Sequence, residues 1–231
     1  MQETKPYNIS KWKVKEAYEK VKANKGTYGV DDQSIEDFEE NLNNNLYKIW
    51  NRMSSGSYFP KPVKAVAIPK KNGGTRILGI PTVEDRIAQM VAKMYFEPCV
   101  EPIFYDDSYG YRPNKSAIQA LEVTRERCWR KDWVFEFDIK GLFDNIRHDY
   151  LIEMAKRHTE ESWVIMYIKR WLVAPFQMED GTIITRTSGT PQGGVISPVL
   201  SNLFLHYVFD DFMTKEFPTI PWARYADDGI A

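Results

Sequence analysis

The sequence predicts an α+β fold, and three stretches carry that expectation. Residues 32–53 place Ile35, Phe38, Leu42, Leu46, Ile49 and Trp50 at helical spacing, the period of an amphipathic helix with a buried stripe. Residues 63–80 change period and read as two β runs around Asn72-Gly73-Gly74, a hairpin signal. Trp133-Val134-Phe135-Glu136-Phe137-Asp138-Ile139 reads as a strand by composition and alternation. At 231 residues the chain has room for one large or two small domains with a packed core.

Composition narrows the classes. A net charge of −1 excludes a globally basic nucleic-acid binder, so any such binding must come from local patches. Cys99 and Cys128 lie far apart without paired spacing, which argues against a disulfide framework or zinc site and for a reducing compartment. No apolar run approaches the length of a membrane span, and Met1-Gln2-Glu3-Thr4-Lys5 lacks the apolar core of a signal peptide. A soluble intracellular protein with no membrane partner is expected.

The elements follow in order. Ser10 opens a helix running to about Asn24 and dominated by Lys11, Lys13, Lys15, Lys20 and Lys22, either a solvated face or a binding surface. A loop with two glycines, Asn24 to Asp31, leads into the second helix, Asp32 to Met53, which ends at Ser54-Ser55-Gly56-Ser57. The hairpin carries Lys61, Lys64, Lys70, Lys71 and Arg76; these cations suit the grasp of phosphates, and equally the protection of an edge strand. Thr82 caps a helix, with Asp85 three residues on, that runs to Glu97 before Pro98 interrupts it. Tyr109-Gly110-Tyr111-Arg112-Pro113 is a loop, and a helix from Lys115 to Arg130 ends in a basic cluster. There is no internal repeat and no low-complexity linker, only a change of character near residue 132.

The chemistry sits in the last hundred residues. In the strand at 133–139, Phe135, Phe137 and Ile139 share one face and Glu136 and Asp138 the other. An acid on the second face of an otherwise buried strand is costly unless that face is open or holds a cation. Tyr225-Ala226-Asp227-Asp228, with Ile220 and Trp222 before it and Gly229 after, reads as a strand entering a tight turn tipped with paired charge. Adjacent carboxylates repel, and Mg2+ offsets them while leaving room for phosphate oxygens and water. Taken alone, the pair is also an ordinary surface turn. If the two strands are neighbours, Asp138, Asp227 and Asp228 converge, and two metal ions about 4 Å apart between such groups make a phosphoryl-transfer site.

Between these acids lie two helices, about 149–158 and 161–172, and a hairpin from Ala174 to Arg186 turning at Glu179-Asp180-Gly181. The loop Ser188 to Pro198 follows, its glycines permitting close backbone approach to a ligand. Ser197 is expected to cap the next helix, with Pro198 in its first turn. A loop at a helix N-terminus is a favourable place for phosphate.

Taken together these blocks resemble the bacterial reverse transcriptases, most closely those encoded by group II introns, over nearly the whole chain from Asn24 onward. Asn24-Lys25-Gly26 with Gly29-Val30-Asp31 is similar to their N-terminal block. Arg76 to Thr82 and Tyr109 to Pro113 are similar to their fingers blocks. Phe137 to Asp144, Thr190 to Pro198 with Leu200-Ser201-Asn202, and Tyr225-Ala226-Asp227-Asp228 are similar to their palm motifs. The resemblance implies a right-hand polymerase fold, with an antiparallel palm sheet packed on helices and the thumb absent. It implies an N-terminal extension and fingers over 1–131 and palm over 132–231, with fingers-type insertions inside 145–195 and a truncated C-terminal end.

It implies RNA-directed DNA synthesis, adding dNTPs to the 3′-hydroxyl of a DNA or RNA primer on an RNA template, with binding and splicing of intron RNA by the full-length protein. Asp138, Asp227 and Asp228, with the Ile139 carbonyl, are expected to hold two Mg2+ ions, Mn2+ being a substitute. Lys70 and Arg76 are expected on the triphosphate, and Gln192 against the nucleotide. Pro191, Gly193, Arg112 and Tyr225 are expected at template or primer. The Phe143 ring should exclude a ribose 2′-hydroxyl. A bacterial cytoplasmic location and self-association through exposed palm surface are further expectations. The rival readings are an RNA-binding maturase with little polymerase activity and an RNA-directed RNA polymerase, the latter opposed by Phe143.

Overall fold

A computed structural model of the chain describes residues 5–69 and 73–231. The hairpin tip with Lys70 and Lys71 lies outside the described residues. Helix α1 (Lys11–Ala23) starts where the Ser10 hydroxyl accepts the Trp12 N–H, and it buries Val14, Ala17, Tyr18 and Val21. The apolar stripe at 32–53 forms two helices rather than the single one expected. These are α2 (Ile35–Glu39), opened by a reciprocal Ser34–Asp37 capping box, and α3 (Leu42–Ser55), ended by Gly56 at φ 76°. The break falls at Asn41, whose backbone leaves the helical region. The Asn45 side-chain amide then donates to the Phe38 carbonyl at 2.9 Å, an acceptor otherwise left over at the end of α2.

Strands β1 (Val63–Pro69) and β2 (Thr75–Ile80) pair antiparallel from Lys64↔Ile80 to Pro69↔Thr75. Helix α4 (Val83–Val100) is capped by Thr82, whose hydroxyl accepts the Asp85 N–H. It continues through Pro98 instead of stopping at Glu97. The proline falls in the last turn, where its missing N–H removes a single bond, and the fully buried Phe96 and Val100 hold that turn to the core.

After α5 (Ala117–Cys128), β3 (Glu136–Asp138) and the short α6 (Leu142–Asn145) come α7 (His148–Lys156), α8 (Ser162–Leu172), β4 (Phe176–Gln177) and β5 (Ile183–Ile184). Helix α9 (Ser197–Leu205) runs through a wide π turn (His206–Asp210) into α10 (Asp211–Glu216), and β6 (Ala223–Tyr225) and β7 (Asp228–Ile230) close the chain.

Two sheets result. The first has the order β2-β1-β4-β5, with β1 and β4 parallel, so hairpins more than a hundred residues apart in sequence share one sheet. The second, β3-β7-β6, is antiparallel. The main apolar core, reaching from Ile9 to Leu205, is built by the helices, and a second, smaller cluster of Tyr109, Ala120 and Ala223, with Val123 and Ile230 against it, lies where α5 meets the β3-β7-β6 sheet. Helix α4 is the axis of the main core: Val83, Ile87, Ala88, Val91 and Ala92 are sealed from solvent. Inside that core the Asp85 carboxylate accepts Tyr58 Oη–H at 2.7 Å and Trp171 Nε1–H at 2.9 Å on one oxygen. Burial pushes its pKa up to about 6. Among the described residues no helix is long and apolar enough to cross a membrane.

Candidate active site

In the small sheet Asp138 pairs with Asp228, and Asp228 with Tyr225. Residues directly opposite one another share a face. Asp138, Asp228 and Tyr225 therefore stand together on one side, and Phe137, Gly229 and Arg224 on the other. The inner face is closed by Phe137, whose ring lies 4.9 Å from that of Phe209. Gly229 is required there, since a Cβ would come within 2.1 Å of the Phe137 ring. The outer face opens on a groove of about 420 Å3 that includes Leu121, Thr124, Glu136, Tyr225 and Asp228.

Between β6 and β7 the chain turns at Ala226-Asp227, with Ala226 at φ 57°. The turn rests on Gly110, where a Cβ would lie 2.3 Å from the Ala226 nitrogen. The Ile139 N–H donates to the Asp227 carbonyl at 3.1 Å. Burial raises the Asp227 pKa, and the charges of Asp228 and Asp138 add to that rise. The backbone thus sets the three acids side by side. Their side chains are not drawn to one point: among the described residues no three acidic, histidine or cysteine side chains form a ready-made metal cage. The donor set, three carboxylates and the Ile139 carbonyl, fits a hard oxygen-seeking cation such as Mg2+.

A pocket of about 390 Å3 adjoins the turn, lined among others by Arg76, Tyr111, Phe143, Gln192, Gly193 and Asp227. The glycine loop forms one wall. The Gly79 N–H donates to the Gln192 carbonyl at 2.6 Å, and a Cβ on Gly193, at φ 103°, would lie 2.4 Å from the Gly79 oxygen. Gln89, buried in α4, accepts the Val195 N–H at 2.8 Å. The other wall is tied to the same loop, because the Thr190 N–H donates to the Phe143 carbonyl at 2.6 Å. Phe143 is nearly buried and meets Tyr111 edge-on, ring centres 6.4 Å apart.

Three expectations need correction. Arg112 turns inward. Its guanidinium donates to Glu101 at 2.9 Å and to the Tyr105 and Ser108 carbonyls at 2.6 and 2.7 Å, folding the loop on itself. Pro191 is buried, packed toward the side-chain-free Gly79, so Gly193 is the exposed member of that pair. Ser197 is the first residue of α9, not its cap, because the backbone is already helical at Ile196 (φ −89°, ψ −17°). Two hairpin lysines are also engaged elsewhere: Lys61 pairs with Asp31 at 3.0 Å, and Lys64 with Asp32 at 3.4 Å, pinning the N-terminal loop to β1.

Tyr111 and Arg224 also border the site, and no sequence motif gives either of them that role. Tyr111 takes a left-handed backbone, φ 59°, to reach the pocket. For Arg224 the available signal was a cation inside the apolar run Trp222-Ala223-Arg224-Tyr225.

A small antiparallel sheet presenting paired acids, beside a hairpin whose Arg76 shares their pocket, is the arrangement of a polymerase palm with its fingers. Residues 68–231 match the family described as reverse transcriptase (RNA-dependent DNA polymerase), and the chain belongs to that family. It is 37% identical over 193 residues to the group II intron-encoded protein LtrA of Lactococcus lactis subsp. cremoris, covering 82% of this chain and 32% of that protein. It is 34% identical over 196 residues to protein YkfC of Escherichia coli, covering 83% of this chain and 51% of that one. The chain therefore spans a third to a half of the length of these relatives. Among solved structures, a partial Cas6-RT-Cas1–Cas2 complex matches 96% of this chain and 36% of that one, at 25% identity and a TM-score of 0.59.

Proposed function

We propose that the chain carries the fingers and palm of a group II intron-type reverse transcriptase, fingers over 1–131 and palm over 132–231. The hairpin at 174–186 belongs with the fingers in this reading, since β4 pairs with β1. The observation that carries the reading is the register Asp138↔Asp228 beside the Asp227 turn, directly adjoining the pocket of Arg76, Phe143 and Gln192.

Asp138, Asp227 and Asp228, with the Ile139 carbonyl, are assigned to two Mg2+ ions, which when bound supply a lowered pKa for the primer 3′-hydroxyl and charge compensation for pyrophosphate. Arg76 binds the triphosphate as a fixed cation. Gln192 and Tyr111 border the nucleotide, and Phe143 stands where a 2′-hydroxyl would project. Gly193 and Tyr225 face template or primer. Binding and splicing of intron RNA by the whole protein, in a bacterial cytoplasm, belong to the same reading. The RNA role is supported by similarity to an intron-encoded protein and, over 101 residues at 32% identity, to nuclear intron maturase 2, mitochondrial, of Arabidopsis thaliana.

The test is primer extension on an RNA template with dNTPs by the full-length protein, wild type against Asp227→Ala, since this stretch by itself is expected to be weakly active or inactive. Extension by the wild type and its loss in the variant are expected. A wild type that binds RNA and never extends a primer overturns the reading in favour of an RNA-binding maturase.

A further inference from the structure

Arg224 is 1% exposed, yet it lies two residues from the Ala226-Asp227 turn. A guanidinium has five N–H donors, and each of these has an acceptor. Nε and Nη2 donate to the two oxygens of Asp210 at 2.8 and 2.7 Å. Nη2 also donates to the Ser108 hydroxyl at 2.8 Å. Nη1 donates to the Asn202 amide oxygen at 3.2 Å and to the Ala226 carbonyl at 2.8 Å. The Asn202 amide N–H donates in turn to the Gly110 carbonyl at 2.7 Å, and Gly110 is the residue on which the turn rests.

The Ala226 carbonyl belongs to the peptide bond entering Asp227, and the Asp227 carbonyl is held by the Ile139 N–H. Asp227 is therefore fixed on both sides, one of them by Arg224. Asp210 owes its place to the π turn His206–Asp210. An α-helix advances about 100° per residue, so the one extra residue of a π turn redirects every side chain after it.

We propose that Arg224 is a positioning residue for Asp227, and that Asp210, brought round by the π turn, is the counter-ion that holds Arg224 in place. The inference rests on the active-site reading above. Stability alone does not explain the pair, because replacing a buried ion pair with apolar residues of similar volume is often neutral or stabilising. What apolar residues cannot supply is a donor aimed at the Ala226 carbonyl. Arg224 touches neither nucleotide nor primer and acts through the turn.

The double variant Arg224→Met/Asp210→Leu separates the two roles. Its thermal unfolding should stay cooperative. Mn2+ binding, followed by electron paramagnetic resonance, should weaken by about 10–100-fold, the scale for losing a partner that orients a metal ligand. In primer extension the Mg2+ needed for half-maximal rate should rise and kcat should fall, with KM for dNTP unmoved. A folded double variant with wild-type Mn2+ affinity and Mg2+ requirement overturns the proposal. If the double variant does not fold, Arg224→Lys decides the matter by the same readouts: it keeps a positive charge on Asp210 without a second arm for the Ala226 carbonyl. A wild type that fails to extend primers defeats the polymerase reading instead, and the Mn2+ titrations still test the positioning of Asp227.

Discussion

Phe143 shows how much one side chain can decide. Its buried ring lines the pocket edge-on to Tyr111, on a backbone tied to the glycine loop. Phe143→Ala or Phe143→Val should raise ribonucleotide incorporation at least about tenfold relative to the deoxynucleotide, the usual range for reshaping an apolar pocket. The ratio of kcat/KM for the two sugars measures this, and an unchanged ratio refutes the steric gate. The position of Phe143 was legible from its motif. The roles of Arg112 and Pro191 were not, because a motif records which residue is present and not which way it turns. Arg112 finds Glu101 and two carbonyls within reach, and those partners turn it inward.

Helix α1 illustrates the same limit for a whole element. Its inner face, Val14, Ala17, Tyr18 and Val21, fills the core and leaves the lysines outside. Some of these have partners: Lys13 and Lys20 flank Glu16, and Lys22 pairs with Glu39. Such exposed pairs contribute little and yield readily to phosphate. The Lys11 amine lies over the Trp50 ring, 4.3 Å from its centre. Replacing Lys11, Lys13 and Lys15 by alanine should weaken RNA binding and flatten its salt dependence, by about 0.7 in the log–log slope for each phosphate of single-stranded RNA that is no longer neutralised. Filter binding across a salt series checks it, and an unaltered slope makes the helix a solvated face. The sequence indicates a helix from Ser10 to about Asn24 and a single periodic helix over 32–53, but the break at Asn41 and the passage through Pro98 depend on Asn45 and on buried neighbours.

For the whole molecule, the core around α4 carries a pH-dependent contribution to stability, that of Asp85. The Asp85 pKa, 3.8 in its ordinary state, is pushed up to about 6 by burial, and its second oxygen has no partner among the described residues. The folded chain thus holds this proton more tightly than the unfolded chain. The Asp85 contribution to stability is undiminished below pH 3.8, falls as pH rises toward 6, and above 6 becomes a penalty of order 3 kcal/mol. Asp85→Asn retains an acceptor for Tyr58 and Trp171 and removes the charge. It should be more stable than wild type at pH 8, by of order 1–3 kcal/mol, and gain little at pH 4.5. Urea denaturation at the two values checks this, and no gain at pH 8 counts against it.

The sequence by itself determined the kinds of element, the acids at 138, 227 and 228, the glycine loop and the apolar stripes. These follow from local sterics, side-chain period and residue type, and need no knowledge of neighbours. Only the tertiary structure decided that Asp138 faces Asp228, that the hairpins at 63–80 and 174–186 share a sheet, and that Lys61 and Lys64 pair with Asp31 and Asp32. It alone placed Arg224 under the turn and gave it Asp210. The reason is physical: pairing between distant segments is settled by which apolar faces fill one core together, and each polar group must then find its partner among whatever that packing brings close.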